Sequence, residues 1–118
     1  MKIALATHLS QESRVITTND LVFTYELHVV RAHLLHYTSL LRDFRKSVEF
    51  VRDTHNPAMD SEDITDGQRA SDRDLLMSES ANLLSEVERL EVSRNMLDYR
   101  VQNVTHLVCV LTFCMLPA

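Results

Sequence analysis

Apolar side chains recur along two stretches of this 118-residue chain at alternating steps of three and four residues. The first ladder consists of Leu27, Val30, Leu34, Tyr37, Leu41, Phe44, Val48 and Val51. The second ladder consists of Leu83, Val87, Leu90, Arg94, Leu97, Val101, Val104, Val108, Leu111 and Met115. Because this spacing averages about 3.5 residues, each ladder stays on one side of an α-helix for many turns. The pattern predicts two long helices, each with one apolar side.

The stretch between the ladders is acidic and irregular, and it predicts a flexible loop between the helices. The predicted elements are a short N-terminal helix with an extended lead-in over 1–18, a first long helix over 19–54, a loop over 55–73, and a second long helix with an apolar C-terminal end over 74–116. Residues 17–20 offer N-cap oxygens, Pro57 ends the first helix, and Ser71 with Asp74 resembles a capping arrangement. The predicted fold class is all-α: a long, coiled-coil-like antiparallel two-helix hairpin.

The composition is that of a folded helical protein, and the net charge argues against one class of partner. Apolar residues are 45% and charged residues 25%, and the chain contains one glycine and two prolines. The net charge of −5 argues against nucleic acid as a partner, since phosphate binding relies on excess Lys and Arg. Cys109 and Cys114 lie in an apolar run and are expected to be reduced and buried. The N-terminus does not read as a secretory signal, and the C-terminal apolar run falls short of the ~20 residues that span a bilayer.

Four segments carry a resemblance to a known family. They are TTNDL at 17–21, ELHVVRAHLLHYTSLLRDFRKSVEFV at 26–51, NPAMD at 56–60 and ESANLLSEVERLEVSRNMLDYRVQNVTHLV at 79–108. Over roughly residues 15–108 the chain resembles the long cytosolic stalk helices of fungal proteins in the CorA-like magnesium transporter family. The resemblance implies a homo-oligomeric membrane channel for Mg²⁺ or another divalent cation, with the stalk on the cytosolic side.

The chain departs from that family in its pore. Its only glycine is Gly67, so the family's Gly-Met-Asn loop is missing, as are a second hydrophobic span and most of the α/β domain. The resemblance therefore predicts a truncated cytosolic stalk portion that cannot conduct ions alone. The full-length relative is expected in a membrane and this chain alone in the cytoplasm. Mg²⁺ enters only through the resemblance, and no pore residue can be carried over.

A stand-alone helical hairpin that binds other proteins is the alternative function. Further apolar residues lie outside the ladders: Leu21, Val22, Val29, Leu35, Leu40, Phe50, Leu75 and Leu84. Because contiguous apolar patches rarely stay exposed on monomers, they predict self-association or docking on a further domain. The apolar C-terminal run CVLTFCMLPA favours the stalk portion over the stand-alone module.

Metal-binding patterns in the chain are weak. His28, His33 and His36 cluster on the first helix, but structural zinc usually takes four ligands, so ordinary residues at the edge of the ladder are favoured. The loop carboxylates Asp60, Glu62, Asp63 and Asp66 were compared with an EF-hand. That pattern fails because Ile64 and Thr65 occupy its fifth and sixth positions, and a solvated linker is favoured. We predict no metal-ligating residue.

Catalytic patterns are absent from the sequence. Only His106 lies near the two cysteines, Ser78 and Ser80 lack a Gly-x-Ser-x-Gly elbow, and one glycine cannot form a phosphate loop. We predict no enzyme activity, no catalytic or cofactor-binding residue and no small-molecule substrate. Arg94 interrupts the second ladder, either as a boundary residue whose stem packs on apolar surface, which we favour, or as a buried residue that fixes register.

Overall fold

The chain is an all-α antiparallel hairpin of two long helices. The computed structural model describes residues 2–115, without the side chains of Lys2, Ile16, Thr17 and Met115. Helix α1 spans Lys2–Asp53, a 3₁₀ turn spans Pro57–Asp60, and helix α2 spans Asp66–Met115. The two helices and the hairpin are as predicted. The predicted end of the second helix at 116 lies outside the described residues.

The chain divides into two compact units, each built from one segment of α1 and one of α2. We call His36–Asn95 the turn unit, since it contains the connection between the helices. The terminal unit combines Met1–Leu35 with Met96–Ala118. Each unit therefore has its own pair of helix segments and its own packing.

The predicted break before residue 19 is wrong, because α1 runs through residues 1–18 as far as they are described. No glycine or proline interrupts this region. The hydroxyl of Thr18 donates to the carbonyl oxygen of Arg14 at 2.9 Å, and that of Thr24 donates to Asp20 at 2.8 Å. Threonine that bonds back to the preceding turn is compatible with a helix interior. These residues therefore continue the helix that they were expected to start.

The first part of the loop behaves as its sequence predicts. Helix α1 ends at Asp53, one residue before the predicted end, and Asn56 adopts an extended backbone ahead of Pro57. The Asn56 side chain accepts a hydrogen bond from the backbone N–H of Ala58 at 3.0 Å. Proline at the first helical position needs no backbone donor. The Asn-Pro pair therefore ends α1 and starts the 3₁₀ turn.

Helix α2 begins at Asp66, eight residues before the predicted 74, so the predicted loop over 55–73 is too long. Thr65 is the cap, since its hydroxyl accepts the backbone N–H of Gln68 at 3.3 Å. Asp66 places a carboxylate in the first turn, where the helix dipole favours negative charge. Ser71 lies inside the helix. The predicted cap at Ser71 is therefore wrong, and Thr65 takes that role.

The buried residues all fall on one repeat of the two ladders. We label Leu27 and every seventh residue along α1, and Val87 and every seventh residue along α2, as position a of a heptad lettered a to g. Among the described side chains, the buried ones are Leu34, Val48, Ser80 and Val87, and all four are at position a. Val87 is only 1% exposed. The core of the hairpin is therefore a narrow line of position-a residues.

Candidate interaction surface

Each helix turns position a and position e, four residues later, toward its partner. On α1 the e positions Thr24, Thr38 and Arg45 are half-buried, and on α2 so are Leu84 and Glu91. Leu84 was expected to be exposed outside the ladder, and that expectation is wrong because it lies at position e. The other apolar residues predicted outside the ladders are exposed. The interface between the helices is thus an a/e seam.

Two ion pairs join the helices at e positions. In the turn unit, Arg45 donates from its guanidinium to Glu91 Oε2 at 2.7 Å. In the terminal unit, Arg31 Nε lies 3.3 Å from Asp98 Oδ1. The hydrogen bond to Glu91 raises the pKa of Arg45 above its ordinary value, and desolvation opposes part of that effect. These pairs fix which edge of each helix meets the other.

The d positions, three residues after each a position, are exposed instead of buried. On α1 and α2 they include Phe23, Val30, Tyr37, Phe44, Val51, Leu83, Leu90, Leu97, Val104 and Leu111. Nine of these belong to the predicted ladders, and the expectation that the whole ladder lies inward is wrong for them. The helix–helix seam uses a and e, so the d residues lie to one side of it. We call these ten residues, five in each unit, the d stripe.

Polar residues of α2 pair both within the helix and across the seam. Arg89 bonds Glu86 at 2.9 Å, as its three-residue spacing predicts. Glu91 instead reaches across to Arg45. Arg94 at position a is half-buried and donates to the Asn95 side chain. Its partial exposure agrees with the favoured interpretation of Arg94 as a boundary residue.

The histidines and loop acids do not converge on a metal site. His28, His33 and His36 are all exposed on α1. In the loop, His55 Nε2 lies 2.8 Å from Asp60 Oδ2, so the first residue of the compared EF-hand pattern already has a partner. Across the described part of the chain, no three His, Cys, Asp or Glu side chains form a group that could hold a metal ion.

Cys109 and Cys114 are free thiols, but both are exposed, so the prediction that they are buried is wrong. They occupy positions b and g of α2, which lie away from the a/e seam. In this part of α2 the half-buried residues are Val108 and Thr112, so an apolar neighbourhood in the sequence does not place the two thiols inward. Exposure alone does not activate a thiol.

An open groove is lined by Ser10, Ser13, Arg14 and Thr18, all on a single face of α1. One helix face cannot enclose a substrate, and ligand sites are typically concave and mostly apolar. The groove is therefore a weaker candidate for a functional surface than the d stripe.

Neither helix, over its described residues, contains a stretch long and apolar enough to cross a membrane. Comparison of the chain with protein-family models, with curated proteins and with solved structures gave no match in any of the three.

Proposed function

We propose that the chain is the cytosolic stalk portion of a CorA-like magnesium or divalent-cation transporter. The observation that carries the proposal is that both long resembling segments, 26–51 and 79–108, are helical over their full length. They also belong to one pair of antiparallel helices, and long paired helices suit a stalk. The proposal includes homo-oligomerisation through helix faces, no catalytic role and a place on the cytosolic side of a membrane.

In this role the chain transmits the ligand state of a cytosolic domain to a pore. It does not conduct ions itself, because the only glycine is Gly67 and no Gly-Met-Asn loop exists in the sequence. Paired long helices suit such transmission because interfaces between packed helices have discrete arrangements that can shift as units. The exposed d stripe supplies the apolar surface by which a stalk helix packs against its neighbours.

Cell fractionation tests the proposal directly. An antibody raised against residues 60–74 is applied to soluble and membrane fractions of the cells that carry the gene. We expect a band larger than 13.6 kDa in the membrane fraction. A band near 13.6 kDa confined to the soluble fraction would withdraw the transporter proposal.

A stand-alone helical module that binds other proteins is the second candidate. The observation that favours it is the completeness of the local structure: Thr65 caps α2 and Asn56 caps the 3₁₀ turn, so the connection needs no outside partner. The soluble 13.6 kDa band described above would support this function. Both candidates share one requirement, a helix-packing role for the exposed apolar side.

A further inference from the structure

The two flanks of the helix–helix seam differ sharply in polarity within the turn unit. Over residues 36–53 of α1 and 80–95 of α2, where the buried position-a residues of this unit lie, the d flank consists of Tyr37, Phe44, Val51, Leu83 and Leu90. The e flank consists of Thr38, Arg45, Arg52, Leu84 and Glu91. One flank is wholly apolar and the other carries four polar residues out of five. Position e belongs to the seam, where its polar residues can pair across the helices, whereas position d lies outside the seam, where nothing within the hairpin requires an apolar residue.

Helix geometry places the whole d flank on one side of the hairpin. Successive residues turn by about 100°, so position d lies about 60° to one side of a, and e lies about 40° to the other. In two antiparallel helices that face each other through a and e, the d positions of both turn toward the same side. The d residues of the turn unit therefore form a single face two helices wide.

The direction in which positions a and d point, relative to the partner helix, indicates how many further helices would surround the same core. The midpoint between a and d points about 50° away from the direction of the partner helix, which lies midway between a and e. In a square bundle of four helices, the centre lies about 45° away from the line to each neighbour. Positions a and d are thus aimed at the centre of a four-helix bundle, of which this hairpin supplies two helices.

We propose that a second copy of this chain packs on the d flank of the turn unit, so that two hairpins form a four-helix bundle. The exposed d flank is two helices wide, and one further hairpin would cover that width. A copy also brings an identical apolar face, as a two-fold interface requires. This inference rests on the helix-packing role proposed above, and it specifies the partner and the surface.

The exposed area is sufficient for such a dimer. The five d residues and the adjacent Leu40 are each between 45% and 56% exposed. Because an aromatic side chain buries about 150–250 Å² and an aliphatic one less, these six expose roughly 500 Å² per copy. Two copies would bury about 1,000 Å², which is the area that a specific interface should reach.

The terminal unit repeats the same asymmetry. Its d positions are Phe23, Val30, Leu97, Val104 and Leu111. Over residues 22–35 of α1 and 96–112 of α2, its e positions are Thr24, Arg31, Asp98, Thr105 and Thr112, all of them polar. The pattern therefore recurs in a unit that packs separately. It supports the assignment of d as the position that meets a further copy.

The mass of the 118-residue chain in solution tests the proposal. Light scattering coupled to size exclusion, at protein concentrations from sub-micromolar to about 100 µM, should give twice 13.6 kDa at the upper end. A monomer throughout that range overturns the proposal. A stable oligomer larger than a dimer also overturns it, and leaves the helix-packing role proposed above standing. Neither result changes the outcome of the fractionation test, so the two proposals fail separately.

Matched variants locate the interface. The double variant Phe44→Lys/Leu83→Lys places two charges on the d flank, and we expect its dimer dissociation constant to rise at least about tenfold. The control Phe50→Lys/Leu75→Lys changes the same residue types at exposed positions off the flank. We expect the control to remain dimeric. Dissociation of the control, with dimerisation of the first variant intact, would overturn the assignment of this face.

A conservative thiol probe covers the case in which charged variants fail to fold. Leu83→Cys and Leu75→Cys are each made in a Cys109→Ser/Cys114→Ser background, and their reaction with a thiol reagent is timed. At Leu83 we expect the rate to fall as protein concentration rises through the dissociation constant, while at Leu75 it stays constant. A constant rate at Leu83, in a sample shown to be dimeric, would overturn the proposed surface.

Discussion

The burial of Val87 allows the orientation of α2 to be tested by one substitution and a matched control. Val87 is 1% exposed at position a, whereas Val92, five residues later, is 54% exposed. Val87→Ala removes two buried methyl groups at about 0.8 kcal/mol each, and a residual cavity brings the loss to about 2 kcal/mol. Because alanine has a higher helix propensity than valine, each substitution also stabilises the helix by up to about 0.7 kcal/mol. Val92→Ala also loses the buried part of its two methyl groups, about 0.7 kcal/mol, so we expect the two variants to differ by about 1.3 kcal/mol.

Urea unfolding followed by far-ultraviolet circular dichroism measures this difference. Linear extrapolation gives the free energy of unfolding, and all samples are held at one protein concentration because self-association would add to stability. We expect Val92→Ala to change stability by less than about 0.5 kcal/mol. Equal losses at the two sites, or a larger loss at Val92, would refute the orientation of α2 described above.

Two further predictions concern the cap and the cross-helix pair. Thr65→Ala should lower the free energy of unfolding by about 1 kcal/mol, whereas Ser71→Ala should be neutral; urea unfolding distinguishes them, and a larger loss at Ser71 would contradict the observed helix start. Arg45→Glu should destabilise the hairpin, and adding Glu91→Arg should restore part of the loss because the pair is re-formed with its charges exchanged. Adding Glu91→Arg to an Arg42→Glu variant should give no such rescue, and equal rescue of both would refute the pairing.

The helices themselves were predictable because their signals are local and repeated. A spacing of three and four sustained over many turns identifies both α1 and α2, and it correctly places Leu34, Val48 and Val87 in the core. The ends of the helices were less predictable than the helices themselves, because the same residue types occur both at helix ends and inside helices. Threonine can cap a helix or donate a hydrogen bond to the preceding turn within one. Thr18 is a predicted cap residue, but its hydroxyl donates to the preceding turn of α1.

The facing edge of each helix could not be predicted from periodicity. Positions d and e flank position a on opposite sides, and either can join it in a seam, depending on how many helices surround the core. An apolar d residue suggests an a/d seam, in which the whole ladder of each helix would lie inward. The available signal was opposite charge at e positions of both helices, as in Arg45 with Glu91 and Arg31 with Asp98. Reading those pairs across the loop would have indicated the a/e seam.

The conflict between the apolar ladder and the observed seam is itself informative about function. A sequence that only had to form a two-helix hairpin could place polar residues at d, where they would meet water at no cost in packing. Here position d is apolar at every step from Phe23 to Val51 and from Leu83 to Leu111. Because exposed apolar surface of this regularity favours association, the pattern supports our proposal that other helices cover it. A stalk in an oligomer and a dimerising module both meet that condition, and they differ in which helices do so.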